Sequence, residues 1–211
     1  MRPAGCAELE RQAMSEPKSL MQLAGLPLDP SRFEDSALIL IDCQREYSEG
    51  ALTLENIAAA VVQAAKVLER ARKTGAPVFH IVHHGPAGSP IFAPDGPLVE
   101  IVPELAPRAD EAIVVKALPN AFAGTGLAEK IRATGRKEII VVGFMTHMCV
   151  STTVRAALEL GFRATVVARA CATRPLPLLG GAVDAATLHR AELAALADRF
   201  AIVVEDAAAL V

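Results

Sequence analysis

Six short runs of apolar residues, rich in valine and isoleucine, recur along this chain, and longer segments with helical spacing separate most of them. The predicted strands are residues 37–41, 77–82, 112–115, 138–142, 162–168 and 200–204. The predicted helices are residues 54–73, 123–134, 149–160 and 182–197. Strands that alternate with helices indicate a parallel sheet with right-handed crossovers. We therefore predict an α/β fold with a doubly wound, mainly parallel six-stranded sheet and helices on both faces, a Rossmann-like three-layer sandwich.

The first 35 residues do not follow this pattern, because prolines interrupt them and no periodicity is sustained. We predict an N-terminal extension over residues 1–35, flexible in part, with a short helix near residues 19–24. A single domain is predicted over residues 36–211. A chain of 211 residues is long enough for one domain with a well-buried core.

Charge and composition exclude several classes of protein. The formal net charge is −3 and no basic run is present, so nucleic acid is not an expected partner. No apolar stretch reaches the roughly 18 residues that a membrane span needs, and charged residues interrupt any signal-peptide core near the N-terminus. No cysteine belongs to a C-x-x-C pair. We expect a cytoplasmic protein with reduced thiols that acts on a small molecule.

Three chemically active residues follow or border the predicted strands. Asp42 and Lys116 each come directly after an apolar run, and Cys149 opens a predicted helix. The carboxyl ends of parallel strands meet at one edge of a sheet, where ligands bind. A helix N-terminus lowers a thiol pKa, a carboxylate can take the thiol proton, and an ammonium can stabilise both anions. A buried structural cysteine, a turn-capping aspartate and a snorkelling lysine remain the alternatives.

The residues around the cysteine carry a more specific signal. The segment 143–150, Gly-Phe-Met-Thr-His-Met-Cys-Val, resembles the nucleophile segment of isochorismatase-like cysteine hydrolases, G-x-x-T-x-x-C-V-x-x-T followed by a helix that ends at G-[YF]. Three further matches occur in order: residues 41–44 before Tyr47, Lys116 with residues 120–125, and residues 183–189. The resemblance covers about residues 36–206, and four ordered matches are more specific than any single motif.

The resemblance implies a mechanism and a set of site residues. Asp42, Lys116 and Cys149 would form a catalytic triad that hydrolyses its substrate through a thioester. The Phe144–Met145 peptide bond would be cis, and the backbone N–H groups of Met145 and Cys149 would form the oxyanion hole. The residues expected to bind substrate are Gln44, Tyr47, Asn120, Phe122 and His147. Arg174 either recognises an anionic substrate group or lies on the surface. A dimer or tetramer is the expected assembly.

No metal and no cofactor are expected. His80 and His84 would share one face of a strand and His83 the other, and a second set of ligands is not evident. Metal-dependent nicotinamidases carry a histidine soon after the first aspartate, whereas residues 43–54 contain none. The chain also lacks a complete dinucleotide fingerprint and a phosphate loop.

The leading hypothesis is therefore cysteine-dependent hydrolysis of a C–N bond in a small amide, carbamoyl or lactam compound. One alternative is an isochorismatase that cleaves a vinyl ether, which would rely on the Asp42–Lys116 pair. The other is a non-catalytic binding protein with the same fold.

Overall fold

The computed structural model describes residues 16–210, so the expectation of flexibility for residues 1–15 lies outside the described residues. The strands are β1 Ser36–Ile41, β2 Val78–His83, β3 Ala112–Lys116, β4 Glu138–Phe144, β5 Arg163–Ala172, β6 Leu176–Leu178, β7 Gly181–Val183 and β8 Ala201–Val204. Six of them form a parallel sheet in the order β3–β2–β1–β4–β5–β8, and β6 pairs with β7 as a separate antiparallel hairpin. The predicted fold class is confirmed.

Helices connect the strands. They are α1 Leu20–Leu23, α2 Glu46–Glu49, α3 Ile57–Thr74, α4 Leu127–Ala133, α5 Ser151–Glu159 and α6 Ala185–Arg199. A π-helical turn, Thr146–Val150, leads directly into α5. Single 3₁₀ turns occupy Phe33–Asp35, Pro97–Val99, Pro103–Leu105 and Ala207–Ala209. No helix within residues 16–210 combines the length and apolarity that crossing a bilayer requires.

The sheet separates two apolar cores. Leu38 and Leu40 of β1 point to the face that α3 covers, and Ile39 and Ile41 point to the opposite face. Helices α4, α5 and α6 cover that second face, since their buried side chains belong to the same cluster as Ile39. Burial on both faces explains why the central strands consist of continuous apolar runs rather than alternating ones.

The strand order reverses between β1 and β4. The chain runs outward from β1 to β3 on one side, then crosses to β4 and runs outward to β8 on the other. At this point Gly143 has a φ of 120°, and a Cβ there would lie 2.1 Å from the carbonyl oxygen of Ile41. Glycine is therefore required for the close approach of β4 to β1, beside the crevice in which such folds bind ligands.

Several predicted boundaries were wrong. Helix α3 begins at Ile57 and not at residue 54, because Asn56 has a left-handed backbone with φ 58°. Helix α4 begins at Leu127 and not at residue 123, because Gly124 and Gly126 both have positive φ. Strand β5 continues to Ala172, four residues beyond its predicted end. The β6–β7 hairpin precedes α6, which was predicted to begin at residue 182.

The described part of the extension packs on the domain. Ser19 caps α1, and Leu20 donates its N–H to Asp198 in α6. The N–H of Ser31 is bonded to Thr165 at 2.8 Å, and both residues are buried. Residues 19–35 are thus fastened to two elements of the sheet domain, while a boundary at residue 36 stays a prediction.

Candidate active site

The structure brings Asp42, Lys116 and Cys149 into contact. Nζ of Lys116 lies 2.7 Å from Oδ2 of Asp42 and 3.4 Å from Sγ of Cys149. The side chains of Asp42 and Lys116 are fully buried, and Cys149 is 6% exposed. Three residues that are distant in sequence therefore form one cluster at the carboxyl edge of the sheet.

Local structure aims each side chain at this cluster. Asp42 follows β1 with a left-handed backbone, φ 50°, which aspartate tolerates better than most residues, and its N–H is bonded to the carbonyl of Ile81. Lys116 ends β3, where burial alternates, so its side chain points to the same face as buried Val114. Because β2 lies between β3 and β1, the long lysine side chain must extend across β2 to reach Asp42.

Burial dominates the electrostatics of the cluster. It raises the pKa of Asp42, and the nearby ammonium of Lys116 opposes this only in part. Burial, together with the negative charge of Asp42, raises the pKa of Cys149 to about 12 although Lys116 lowers it. The net shift of the Cys149 pKa is therefore upward, opposite to the direction expected for a thiol at a helix N-terminus.

The turn that carries the cysteine is held from several directions. The Phe144–Met145 peptide bond is cis, as the resemblance implied. The carbonyl of Met145 accepts hydrogen bonds from the N–H groups of Met148 and Val150, at 3.0 and 3.2 Å. The hydroxyl of Thr146 donates to the carbonyl of Ala172 at 3.1 Å. Residues 145–150 are thus tied both to themselves and to the end of β5.

The histidines that suggested a metal have separate surroundings. Nδ1 of His83 is 3.4 Å from Nζ of Lys116, and burial and the charge of Lys116 lower its pKa to about 4. His80 is 1% exposed and its Nε2 is bonded to Glu111 at 2.9 Å, on the α3 side of the sheet. Within residues 16–210, no group of three or more histidine, cysteine or acidic side chains is arranged to hold a metal ion.

Gln44 makes hydrogen bonds that hold two parts of the chain together, and its substrate contact stays a prediction. Its Nε2 donates to the carbonyls of His83 and Val99 at 3.0 and 2.7 Å, and its Oε1 accepts from the N–H of His83. The residue is fully buried. The amide therefore joins the end of β2 to the loop over residues 97–101, and both hydrogens of its Nε2 are already donated within the chain.

Asn120 and Phe122 lie in the loop before α4. The side-chain carbonyl of Asn120 accepts the N–H of Phe122 at 2.9 Å, which closes a turn. The ring of Phe122 stacks on that of Phe162 at 5.8 Å. Phe162 directly precedes β5 and so lies at the amino edge of the sheet, opposite the cluster. The ring of Phe122 therefore packs away from the cluster, and a substrate contact of Asn120 stays a prediction.

Tyr47 and His147 both lie near the cluster. Tyr47 packs edge-on against Phe92 and Phe144, and the charges of Asp42 and Cys149 add to burial in raising the pKa of its phenol. His147 is half-buried and contacts the hydroxyl of Thr173. Burial, and then the nearby cation Arg174, lower the pKa of His147. Whether either residue touches a substrate stays a prediction.

The structure also gives Arg174 a position beside the cluster. Its charge acts on both Tyr47 and His147. Its Nε is buried and has no hydrogen-bond acceptor among the described residues. The sequence left open whether this arginine lies on the surface or meets an anion. A half-buried guanidinium with an unsatisfied donor, beside the candidate site, favours the second interpretation.

Two polar residues of the site were not singled out from the sequence. Thr146 is fully buried in the nucleophile turn, and Nδ1 of His189 in α6 lies 2.8 Å from its hydroxyl. The available signals were weak: Thr146 is the threonine of the G-x-x-T-x-x-C pattern, and His189 ends the match over residues 183–189.

Fold and site together define an α/β protein with a thiol, a carboxylate and an ammonium at the switch point of a parallel sheet. The family model described as the isochorismatase domain matches residues 36–208. The chain is 40% identical over 188 residues to a secreted isochorismatase effector of Verticillium dahliae, covering 89% of this chain and 97% of that one. It is 31% identical over 154 residues to a maleamate amidohydrolase of Pseudomonas putida, covering 64% and 70%.

A solved structure agrees with these matches. An isochorismatase from Pseudomonas putida superposes with a TM-score of 0.87 at 39% identity and covers 93% of this chain and 100% of its own. The chain therefore belongs to the isochorismatase family. Members of this family are hydrolases, and amidohydrolases are among them.

Proposed function

We propose that this protein is a cysteine hydrolase that cleaves the C–N bond of a small amide, carbamoyl or lactam compound. One observation carries the proposal: the sulfur of Cys149 is 3.4 Å from an ammonium that is itself 2.7 Å from a buried carboxylate. Sulfur, base and cation in mutual contact are what thiolate formation requires. Membership of a family that includes amidohydrolases supports the same chemistry.

The first half of the reaction forms a thioester. The Cys149 thiol transfers its proton to Asp42, which burial makes a stronger base than an exposed aspartate, and Lys116 stabilises the thiolate. The thiolate attacks the carbonyl carbon, and the negative oxygen is stabilised by the backbone N–H groups of Met145 and Cys149. One such donor contributes about 3 kcal/mol to catalysis. The C–N bond then breaks, and the nitrogen leaves as ammonia or an amine with the proton from Asp42.

The second half restores the enzyme. Asp42 takes a proton from water, and the resulting hydroxide attacks the thioester carbon. The C–S bond breaks, the carboxylic acid product departs, and Asp42 returns its proton to the sulfur. Over the cycle one water is consumed and no cofactor enters the scheme. The cycle thus ends with a thiol on Cys149 and with Asp42 beside Lys116, as it began.

Arg174 supports a narrower substrate class. Its guanidinium charge acts on Tyr47 and His147, and its Nε has no acceptor in the described chain. A substrate carboxylate would complete its hydrogen bonding and neutralise its charge. One relative is named for hydrolysis of maleamate, an amide that carries a carboxylate. We propose that the preferred substrates are small amides with an anionic group.

The test is ammonia release from a panel of neutral and carboxylate-bearing amides, with Cys149→Ala as the control. We expect turnover by the wild-type protein only, and rapid acid quenching should trap an acyl group on Cys149 that mass spectrometry detects. Arg174→Gln should raise KM for the carboxylate-bearing amides and leave that for neutral amides unchanged. Ammonia release that survives in Cys149→Ala would exclude the thioester route.

Vinyl ether hydrolysis is the second candidate, and one observation favours it. The shortest contact in the cluster joins Asp42 to Lys116 and does not involve sulfur, and the raised pKa of Asp42 suits proton donation to a substrate. Pyruvate release from isochorismate that persists in Cys149→Ala would support this route. The absence of turnover with both substrate types, alongside specific small-molecule binding, would favour a non-catalytic binding protein.

A further inference from the structure

Thr146 joins the nucleophile turn to two other elements through a single hydroxyl. Its Oγ1 donates to the carbonyl of Ala172 at 3.1 Å, and Nδ1 of His189 lies 2.8 Å from the same oxygen. A hydroxyl carries one hydrogen, so the oxygen must accept at the second contact. The hydrogen of the His189 ring is therefore on Nδ1. Burial lowers the pKa of His189, which keeps the ring neutral near neutral pH.

We infer that His189 is a positioning residue for the nucleophile turn and acts through Thr146; this rests on the proposed function. Thr146 directly follows Met145 and precedes Cys149 by three residues, so it lies between the two backbone N–H groups assigned to the oxyanion. Its side chain is fully buried, and its two hydrogen bonds hold the turn against β5 on one side and α6 on the other. Loss of the His189 bond would let the turn shift.

Helix α6 is a suitable anchor for such a bond. The carboxylate of Asp184 caps its first turn, accepting from the N–H of Thr187, and Leu193 and Leu196 are buried in the core of that face. One turn after His189, Glu192 accepts a hydrogen bond from Ser151 at the start of α5. The helix is therefore fixed at both sides of His189. The ring of His189 also lines a cavity of about 480 Å³ between α3, β5 and α6, so a different side chain at residue 189 has space there.

A matched pair of variants separates this role from simple packing. In His189→Asn the side-chain nitrogen can occupy the position of Nδ1 and donate to Thr146. In His189→Gln the side-chain nitrogen lies at the former position of Nε2, so the bond to Thr146 is lost. We expect His189→Gln to lower kcat about 10- to 100-fold with KM changed less than about twofold, as for a small misplacement of reacting groups. His189→Asn should stay within about threefold of wild type. Arg190→Gln, in the wall of the same cavity, is the control and should not change kcat.

A double-mutant cycle tests whether His189 acts through the hydroxyl. Thr146→Val removes the hydroxyl with little change in volume. If the role is as inferred, His189→Gln should lower kcat no further when Thr146→Val is already present. Independent losses that multiply in the double variant would overturn the inference, and so would equal losses in His189→Asn and His189→Gln.

A readout without turnover keeps this inference distinguishable from the proposed function. Hydrogen–deuterium exchange of a peptide that spans residues 145–150 should be about fivefold faster in His189→Gln than in wild type and unchanged in His189→Asn, as expected for the loss of one net hydrogen bond. If the wild-type protein hydrolysed no amide, this pattern would still support the positioning role and only the proposed function would fail. Equal exchange in all three proteins would overturn the positioning role.

Discussion

Replacement of Lys116 by methionine tests how strongly the buried pair determines stability. At 2.7 Å, and with an effective dielectric constant of about 20, the attraction between the two charges is about 6 kcal/mol. Without the ammonium, Asp42 would be an uncompensated buried charge. The carboxylate would then take up a proton, so the loss of stability cannot exceed the free energy that this protonation costs.

That limit can be calculated from the ordinary aspartate pKa of 3.8. Keeping Asp42 protonated at pH 7 costs about 4 kcal/mol, and at pH 5 the cost is less than about 2 kcal/mol. In the variant the folded pKa lies above the unfolded value, so the folded state binds more protons. Burial also raises the folded pKa of Asp42 in wild type, so both proteins lose stability in parallel until that pKa is passed. Above it, the destabilisation of Lys116→Met relative to wild type should increase by about 1.4 kcal/mol for each pH unit, until the folded pKa of the variant is passed.

The assay is urea denaturation of wild type and Lys116→Met between pH 4 and pH 8. The control is the double variant Asp42→Asn/Lys116→Met, in which a neutral pair replaces the ions at similar volume. It should recover most of the stability at pH 7, as replaced buried ion pairs often do, and remain inactive. A loss of stability in Lys116→Met that does not change with pH would refute the reasoning, as would a double variant less stable than the single one.

Three further predictions concern groups around the site and the core. The rate of alkylation of Cys149 by iodoacetamide should keep rising up to about pH 10, because burial and Asp42 raise its pKa to about 12; a plateau near pH 7 would contradict this. In thermal denaturation at pH 7, Glu111→Gln should destabilise the protein by about 1–3 kcal/mol. Burial raises the pKa of Glu111, but hydrogen bonds from Arg72 and from the N–H of Arg108 outweigh it and lower the pKa to about 2. The destabilisation should therefore become smaller as the pH falls from 4.5 towards 2. Gln44→Ala should speed proteolysis within residues 97–101 without changing kcat more than about threefold, whereas a large kcat effect would restore a role in the site.

The sheet and the charged cluster could be predicted because both follow from short-range rules. Apolar β-branched runs identify strands that are buried on both faces, and the carboxyl ends of parallel strands lie at one edge wherever they occur in sequence. Asp42 and Lys116 each follow such a run directly, so the cluster required no knowledge of loops. The resemblance added the cis bond at Phe144–Met145.

The errors came from tertiary contacts and from burial. Phe122 was assigned to the site by sequence position alone, but its ring stacks on that of Phe162. The sign of the Cys149 pKa shift depends on its depth and on the distance to Asp42, which no local pattern gives. Likewise α4 was predicted to begin at residue 123 and not at Leu127, because the positive φ of Gly124 and Gly126 is visible only in the folded chain.

The position of Lys116 on an outer strand has a consequence for how this protein would lose function. Strand β3 is hydrogen-bonded to the rest of the sheet along one side only, through β2, and its outward residues Ile113 and Val115 are about half exposed. Peripheral strands of this kind fray at a lower free energy than central ones. Under mild heat or low denaturant, β3 would therefore separate and carry Lys116 away from Asp42 while the central strands stayed folded. We expect inactivation to precede global unfolding. An outer strand of the sheet thus carries, in Lys116, one of the three groups of the candidate site.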